Sequence, residues 1–284
     1  MNKQTKLGIG ALVLIALFII FLPTKDNSTI TIVNPSNKSS PASVFAHAFE
    51  KATGEDTKFY QASSCEDAGK TFNKTKNAVM IYNSSVEFAA RNKGLNCTLK
   101  GQQAENVVFV GQTYMYICRL PNSTKQFGDE AVSLGMASMY AVPKHEKQFV
   151  DNGANVKLVP YGGSKDVLNA LLAGDIDLGW MGSGLAKKQG NKIDCLYSTD
   201  PTDENFIGKS IAKKIPDFRI TYVVYTNATS KKVIQKLRDV GKDEGFNKYM
   251  NSSLITGAWN VEQSDVDAVL SYVDLMENTW SDKK

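Results

Sequence analysis

The chain has 284 residues, is 42% hydrophobic and 22% charged, and carries a formal charge of +4. This balance excludes wholesale disorder, a collagen-like repeat and a polytopic membrane protein, and the length is ample for one large domain or two lobes with a real core. Removing residues 1–27 takes away three lysines and one acid and leaves +2, too small an excess for a nucleic-acid footprint; the Lys pairs at 187–188, 213–214 and 231–232 are scattered, solvated surface.

Residues Leu7–Leu22 are uncharged, with Lys3 and Lys6 before them and Pro23 and Lys25 after. A charged region ahead of an apolar core is an export signal. The core of 16 residues is slightly short of the roughly 20 that span a bilayer comfortably. No pair of small residues spaced for cleavage follows it, and no Cys stands nearby to take a lipid. This favours an uncleaved membrane anchor over a cleaved signal peptide, with a buried soluble helix as the third reading. The positive end stays inside, so Asn27 onward is expected in the periplasm or another extracytoplasmic space. Cys65, Cys97, Cys118 and Cys195 fit an oxidising compartment, although buried thiols are the alternative. They form no CxxC pair, and the only histidines are His47 and His145, so no zinc site is expected. Four cysteines allow three pairings.

From Thr29 the pattern alternates strands with helices. Strands are predicted at Thr29–Asn34, Lys58–Ala62, Ala78–Tyr82, Val107–Val110, Tyr114–Leu120, Val156–Pro160, Ile176–Leu178, Leu196–Ser198 and Thr221–Thr226. Helical spacing of apolar residues falls at Ser43–Ala52, from Cys65, at Val86–Asn92, from Ala137 to Val142, after Ser164, and at 230–242 and 263–279. Ser164 is expected to cap its helix, and Gly54 and Gly174 to stop theirs. The alternation predicts an α/β fold with parallel sheets covered by helices. No repeat or low-complexity tract is visible.

Marks of catalysis are missing. Gly-x-Ser-x-Gly and Gly-x-Gly-x-x-Gly do not occur, and Gly208-Lys209-Ser210 lacks the first glycine of a phosphate loop, since position 203 is Asp203. His47 lies in a helical pattern and reads as a surface or lobe-interface residue; Asp175 and Asp177 read as a solvated turn edge. No enzyme, metal or cofactor is expected. What remains are polar, small-residue loops at the carboxyl ends of strands: Pro35–Pro41 with Ser36, Ser39 and Ser40; Ser63–Ser64; Ser133–Ser138 with Gly135, Met136 and Ala137; and Gly182–Gly184 with Ser183. Ligands bind at this edge of open α/β sheets, and helix N-termini there hold anions through backbone N–H groups. Each loop taken alone also suits ordinary serine caps; converging on one cleft, they suit a small carboxylate.

At these loops the chain resembles the extracytoplasmic solute receptors of tripartite tricarboxylate transporters, the Bug-type receptors. That family opens with a strand, a Pro-Phe-x-Pro-Gly-Gly-x-x-Asp loop and a helix carrying Arg. Val33–Ser40 falls in register with it, Ser43 taking the Asp place and His47 the Arg place. Leu134–Ser138, Val159–Ser164, Leu172–Leu178, Pro216–Thr221 and the helix from Ser230 continue the pattern. The departures are Ser39 and Ser40 for the loop glycines, Ser43 for Asp, and a shorter stretch around 125–150.

The resemblance implies a two-lobed, type II periplasmic binding protein, a Venus flytrap with two crossing hinge strands at Tyr114–Leu120 and Leu196–Ser198. Lobe one is then 28–117 plus 196–284, lobe two 118–195, and 1–27 the signal or anchor. It implies capture of a small organic anion, a carboxylate, for membrane transporter subunits, without nucleic acid or cofactor. A membrane-anchored flytrap used for sensing or protein contact is the alternative. In such a frame Cys118 lies on the outgoing crossing strand and Cys195 just before the returning one. A hinge disulfide joining them leaves Cys65 with Cys97; Cys97–Cys118 is the competing pair.

Overall fold

The computed structural model describes residues 29–38, 40–92, 102–128, 130–137, 143–151, 153–200, 202–203 and 219–280. Ser39, Cys97, Ser138, His145's side chain and the segment 7–22 lie outside what it describes. Among the described residues no helix is long and apolar enough to cross a membrane.

The first unit alternates β1 (Ile30–Asn34), α1 (Pro41–Thr53), β2 (Thr57–Gln61), α2 (Cys65–Lys74), β3 (Ala78–Asn83) and α3 (Ser84–Asn92). β3 reads AVMIYN and is buried throughout, whereas β2 alternates half-buried and exposed residues as an edge strand does. Ser40 caps α1 by accepting from the Ser43 N–H at 3.1 Å, with Pro41 at the first helical position, where its missing N–H costs nothing.

β4 (Val107–Arg119) follows as one strand of 13 residues. β5 (Val132–Ala137), α4 (Pro143–Asp151), β6 (Val156–Tyr161), α5 (Ser164–Ala173), β7 (Leu178–Gly182), α6 (Ser183–Lys187) and β8 (Asp194–Ser198) form the second unit. The chain then returns through β9 (Arg219–Thr226), α7 (Lys231–Arg238), α8 (Glu244–Ser252), β10 (Thr256–Ala258) and α9 (Gln263–Trp280).

Two sheets share β4. The first runs β2-β1-β3-β9-β4, with β10 on the far side of β4; the second runs β6-β5-β7-β4, with β8 beyond. β4 pairs with β9 over Val107–Tyr114, then with β7 over Met115–Cys118 and β8 over Tyr116–Arg119. In each sheet three parallel strands lie in the order second-first-third, followed by a mutually antiparallel pair that includes β4. The architecture therefore repeats without any sequence repeat.

Three apolar layers cover these sheets. One is continuous across both, joining Phe45, Phe49, Phe109 and Tyr222 to Met115, Ile117, Phe149 and Trp180. The second lies on the other face of the first sheet, around Phe72, Tyr82 and Val273; the third lies on the other face of the second sheet, around Val167, Leu171 and Cys118. Phe45 sits at the centre of the shared layer, 5.0 Å from the Tyr222 ring and 5.7 Å from Phe109. Arg91 ties α3 to α9 by bonding the fully buried Glu87 at 2.6 Å and also Asp274.

Several expectations need correction. The sheets are mixed, because β3, β9, β4 and β7 pair antiparallel in turn. The strands predicted at 107–110 and 114–120 are one strand. Gly111 does not break it: a Cβ there would lie 2.9 Å from Thr256 O, so the glycine admits the close approach of β10. The Ser133–Ser138 loop is strand β5 as far as Ala137, paired on both sides. Of the helix expected from Ala137 to Val142, Ala137 ends β5 and residues 138–142 lie outside the described residues; α4 is described from Pro143. Gly163, not Ser164, occupies the N-cap of α5, and no side chain bonds there. The strand predicted at 176–178 begins at Leu178.

Cys118 and Cys195 are direct cross-strand partners of β4 and β8 and are joined by a disulfide with a Cα–Cα distance of 3.9 Å. Cys65 is also disulfide-bonded, to a partner outside the described residues. The 118–195 bridge closes a loop across 77 positions, worth about 4 kcal/mol in the chain-entropy picture. Replacing both cysteines by serine is expected to lower unfolding stability by about 2–4 kcal/mol in chemical denaturation, with far-ultraviolet dichroism unchanged. Wild-type stability in the double variant contradicts the assigned role.

Candidate functional site

In the first sheet the chain order reverses between β1 and β3. The helix after β1 packs into the shared layer through Phe45 and Phe49, and the helix after β3 reaches the opposite layer through Val86. The two loops leave to opposite faces and open a crevice at the strand carboxyl ends. The second sheet repeats this between β5 and β7, with Phe149 of α4 on one face and Ala186 of α6 on the other.

The crevice loop after β1 is braced from within the sheet. Asn34 is fully buried; its Oδ1 accepts from the Ser36 N–H at 3.1 Å and its Nδ2 donates to Gln61 Oε1 at 3.0 Å. Gln61 Nε2 donates to the carbonyls of Asn34 at 3.1 Å and Ser36 at 2.8 Å. Ser36 is 4% exposed, and its Oγ makes no hydrogen bond among the described residues. A buried hydroxyl left unpaired is costly, and this one sits beneath the loop and does not line the cavity described below. At the end of β3, Asn83 Oδ1 accepts from the Val86 N–H at 2.9 Å, and the buried Ser84 Oγ accepts from the Thr221 N–H at 3.1 Å. Sequence reasoning missed Asn34, Gln61, Asn83 and Ser84. A terminal amide closing a strand pointed to Asn34, Gln61 and Asn83; nothing in the pattern pointed to Ser84.

The other sequence-derived candidates have varied places. Ser64 caps α2, accepting from the Asp67 N–H at 3.1 Å, and Ser63 donates to Asp67 through both its N–H and its hydroxyl. Those bonds, the Ser63 backbone first and then the Tyr60 hydroxyl, hold the Asp67 carboxyl below its ordinary range. This loop follows edge strand β2, on the side of β1 away from the switch point. Ser133 lies near the amino end of β5, where its N–H and hydroxyl both reach Asp177 Oδ2 at 2.8 Å. Gly135 and Met136 are buried within the sheet, and Ala137 ends the strand at the crevice edge. In α1, Ser43 is buried beneath its cap, and His47 stacks on Phe59 at 4.0 Å on the outer surface.

Gly182 and Ser183 turn from β7 into α6 at the seam between the two units. Ser183 Oγ lies 3.0 Å from Thr113 Oγ1, and Thr113 donates to the Ser253 carbonyl at 3.3 Å. With the Thr113 proton so placed, Ser183 is the donor of the pair. A Cβ on Gly184 would stand 2.5 Å from Ser253, so α6 is pressed onto the turn after α8.

Beside this seam lies a cavity of about 130 Å³. Pro41, Val44, Ile220, Tyr222, Tyr249, Ser253 and Ile255 wall it on the side of the first sheet. Lys165, Gly182, Gly184, Leu185 and Lys188 wall it on the side of the second, with Thr113 of β4 between. Burial pushes the Tyr249 hydroxyl up to about 12 and the Tyr222 hydroxyl higher still, so both rings stay neutral. Among the described residues no group of three or more His, Cys, Asp or Glu side chains could hold a metal ion. The arrangement offers neutral surface, two cations and backbone groups; it is equipped to hold an anion.

No protein-family model and no curated protein matches the chain. Solved structures do. The periplasmic binding protein BugD matches with a TM-score of 0.64 at 15% identity, over 90% of this chain and 98% of its own. MatC from Rhodopseudomonas palustris, solved with malate, matches with a TM-score of 0.63 at 11% identity, over 89% of this chain and 99% of its own. A further R. palustris protein, solved with adipate, gives 0.62 at 15% identity, over 91% and 97%. The chain therefore has the two-lobed flytrap fold of the periplasmic binding proteins. BugD belongs to the receptor group whose motifs the sequence resembles.

Replacing Gly184 by Ala forces its Cβ into the Ser253 backbone. A loss of about 1–3 kcal/mol in chemical denaturation is expected from such overpacking; unchanged stability contradicts the tight seam.

Proposed function

We propose that this chain is an extracytoplasmic solute-binding protein that captures a small carboxylate between two lobes and delivers it to membrane transporter subunits. The observation that carries the reading is the cavity beside Thr113, walled by elements of both sheets and bearing Lys165 and Lys188. In this reading lobe one is residues 28–117 with 196–284, and lobe two is residues 118–195. Gly182 lines this cavity, and in the same proposal Ser36, Ser40, Ala137 and Ser183 complete the site on closure; Ser39 and Ser138 lie outside the described residues. The periplasmic location and a membrane anchor at residues 7–22 belong to the same proposal. Malate and adipate in the related structures support the ligand class.

The mechanism is binding alone. Open and closed forms are in equilibrium, and a ligand that touches both lobes favours the closed one by its differential contacts. A hydrogen bond from an uncharged donor to a carboxylate is worth about 1.5–3 kcal/mol, and nearby ammonium groups add attraction across a partly dry cleft. Neither lobe alone presents the full set, so release follows from opening.

Thermal denaturation of the protein with a panel of small carboxylates, each paired with its primary amide, tests the reading. At least one carboxylate is expected to raise Tm, by about 2.7 kcal/mol of added stability at a hundredfold excess over Kd, while its amide does not. A panel in which no carboxylate moves Tm overturns it.

A further inference from the structure

The two walls of the cavity differ in chemistry. The first-lobe wall presents Val44, Tyr222, Tyr249 and Ile255. Val44 remains 38% exposed, although its helix otherwise buries its large apolar side chains. The second-lobe wall presents Lys165 and Lys188, both exposed and without an ion pair or hydrogen bond among the described residues. No acidic side chain lines the cavity among the described residues, so nothing there neutralises these cations. Lys165 stands in the first turn of α5, where the helix dipole disfavours a cation. Helix stability does not account for that placement; an anion in the cavity does.

Size adds a second constraint. The cavity holds about 130 Å³, close to the roughly 150 Å³ that accommodates a benzene ring in an apolar protein interior. The cavity is open to solvent on one side, and the part of a ligand its walls enclose has room for one ring or a branched chain of four or five carbons, with the charged head at the lysines. A polyacid would press a second carboxylate against Val44, Ile255 and the tyrosine rings, where no cation meets it and it loses its water.

We infer that the ligand is a monocarboxylate with a compact apolar body, aromatic or branched, whose body lies on Val44, Tyr222, Tyr249 and Ile255 while Lys165 and Lys188 hold its carboxylate. The inference rests on the proposed capture of a carboxylate and narrows it. Closure then brings the cationic wall onto a head group whose body the apolar wall has already oriented.

Calorimetric titration of the full chain with benzoate, 3-methylbutanoate, malate and citrate tests this, repeated on K165Q/K188Q and on Val44→Ser. Benzoate or 3-methylbutanoate is expected to bind at least about tenfold tighter than malate and citrate. The double lysine variant is expected to weaken that acid about tenfold or more while keeping the unliganded Tm, because both lysines are exposed. Val44→Ser is expected to weaken benzoate and 3-methylbutanoate alone. Tighter binding of malate or citrate overturns this inference and leaves carboxylate capture standing. Unchanged affinity in the lysine variant overturns the assignment of the charge. Failure of every carboxylate to bind overturns both.

Discussion

The molecule depends on β4 running unbroken through two sheets. Thirteen residues from Val107 to Arg119 extend roughly 40 Å at about 3.3 Å each. The first part of the strand completes one sheet against β9, and the second part completes the other against β7 and β8. Its side chains serve three layers: Phe109, Met115 and Ile117 enter the shared one, Val107 the first outer layer, and Tyr116 and Cys118 the second. The two units are joined through continuous backbone and a common core, not by an appended surface. The Cys118–Cys195 bridge fixes β8 to this strand at the second unit's end, where a slip of one residue would turn the cysteines to opposite faces.

That arrangement decides where a ligand goes. Each sheet reverses its strand order once, and the two reversals lie on either side of β4. The hydroxyl relay from Ser183 through Thr113 to Ser253 seals α6 against the turn after α8 close to the strand. Space is left beyond the seal, between the amino end of α1 and the amino ends of α5 and α6. The walls of that space come from elements that are far apart in the chain. A change in lobe angle therefore alters distances between walls while leaving each wall intact.

Much of the fold was legible because local patterns and tertiary packing agree. The β-branched run TITIVN marks β1, which is covered on both faces, and the Val44, Phe45, Ala48, Phe49 spacing marks α1. The misreadings have physical causes. Gly111 resembles a break but serves a close backbone approach, a fact that resides in β10, far along the chain. Gly135 and Ala137 resemble a loop because their side chains are small, yet Ile176 and Tyr161 fill the space beside Gly135. The site was less legible than the fold. Polar loops locate the strand ends, but sequence alone does not separate a capping serine such as Ser64 from an unpaired one such as Ser36. The Asn34–Gln61 brace exists only because β1 and β2 pair in register at those residues. Val44, Tyr222 and Tyr249 lie on three separate elements and read individually as core.

The central claim is that one ligand touches both lobes across β4. Hydrogen–deuterium exchange of the protein with and without a bound carboxylate measures it directly, peptide by peptide. The account predicts that saturation slows exchange together in peptides covering the start of α1 and in those covering 182–188, the opposite walls of the cavity. Slowing confined to peptides of a single lobe, with the other unchanged, would contradict it.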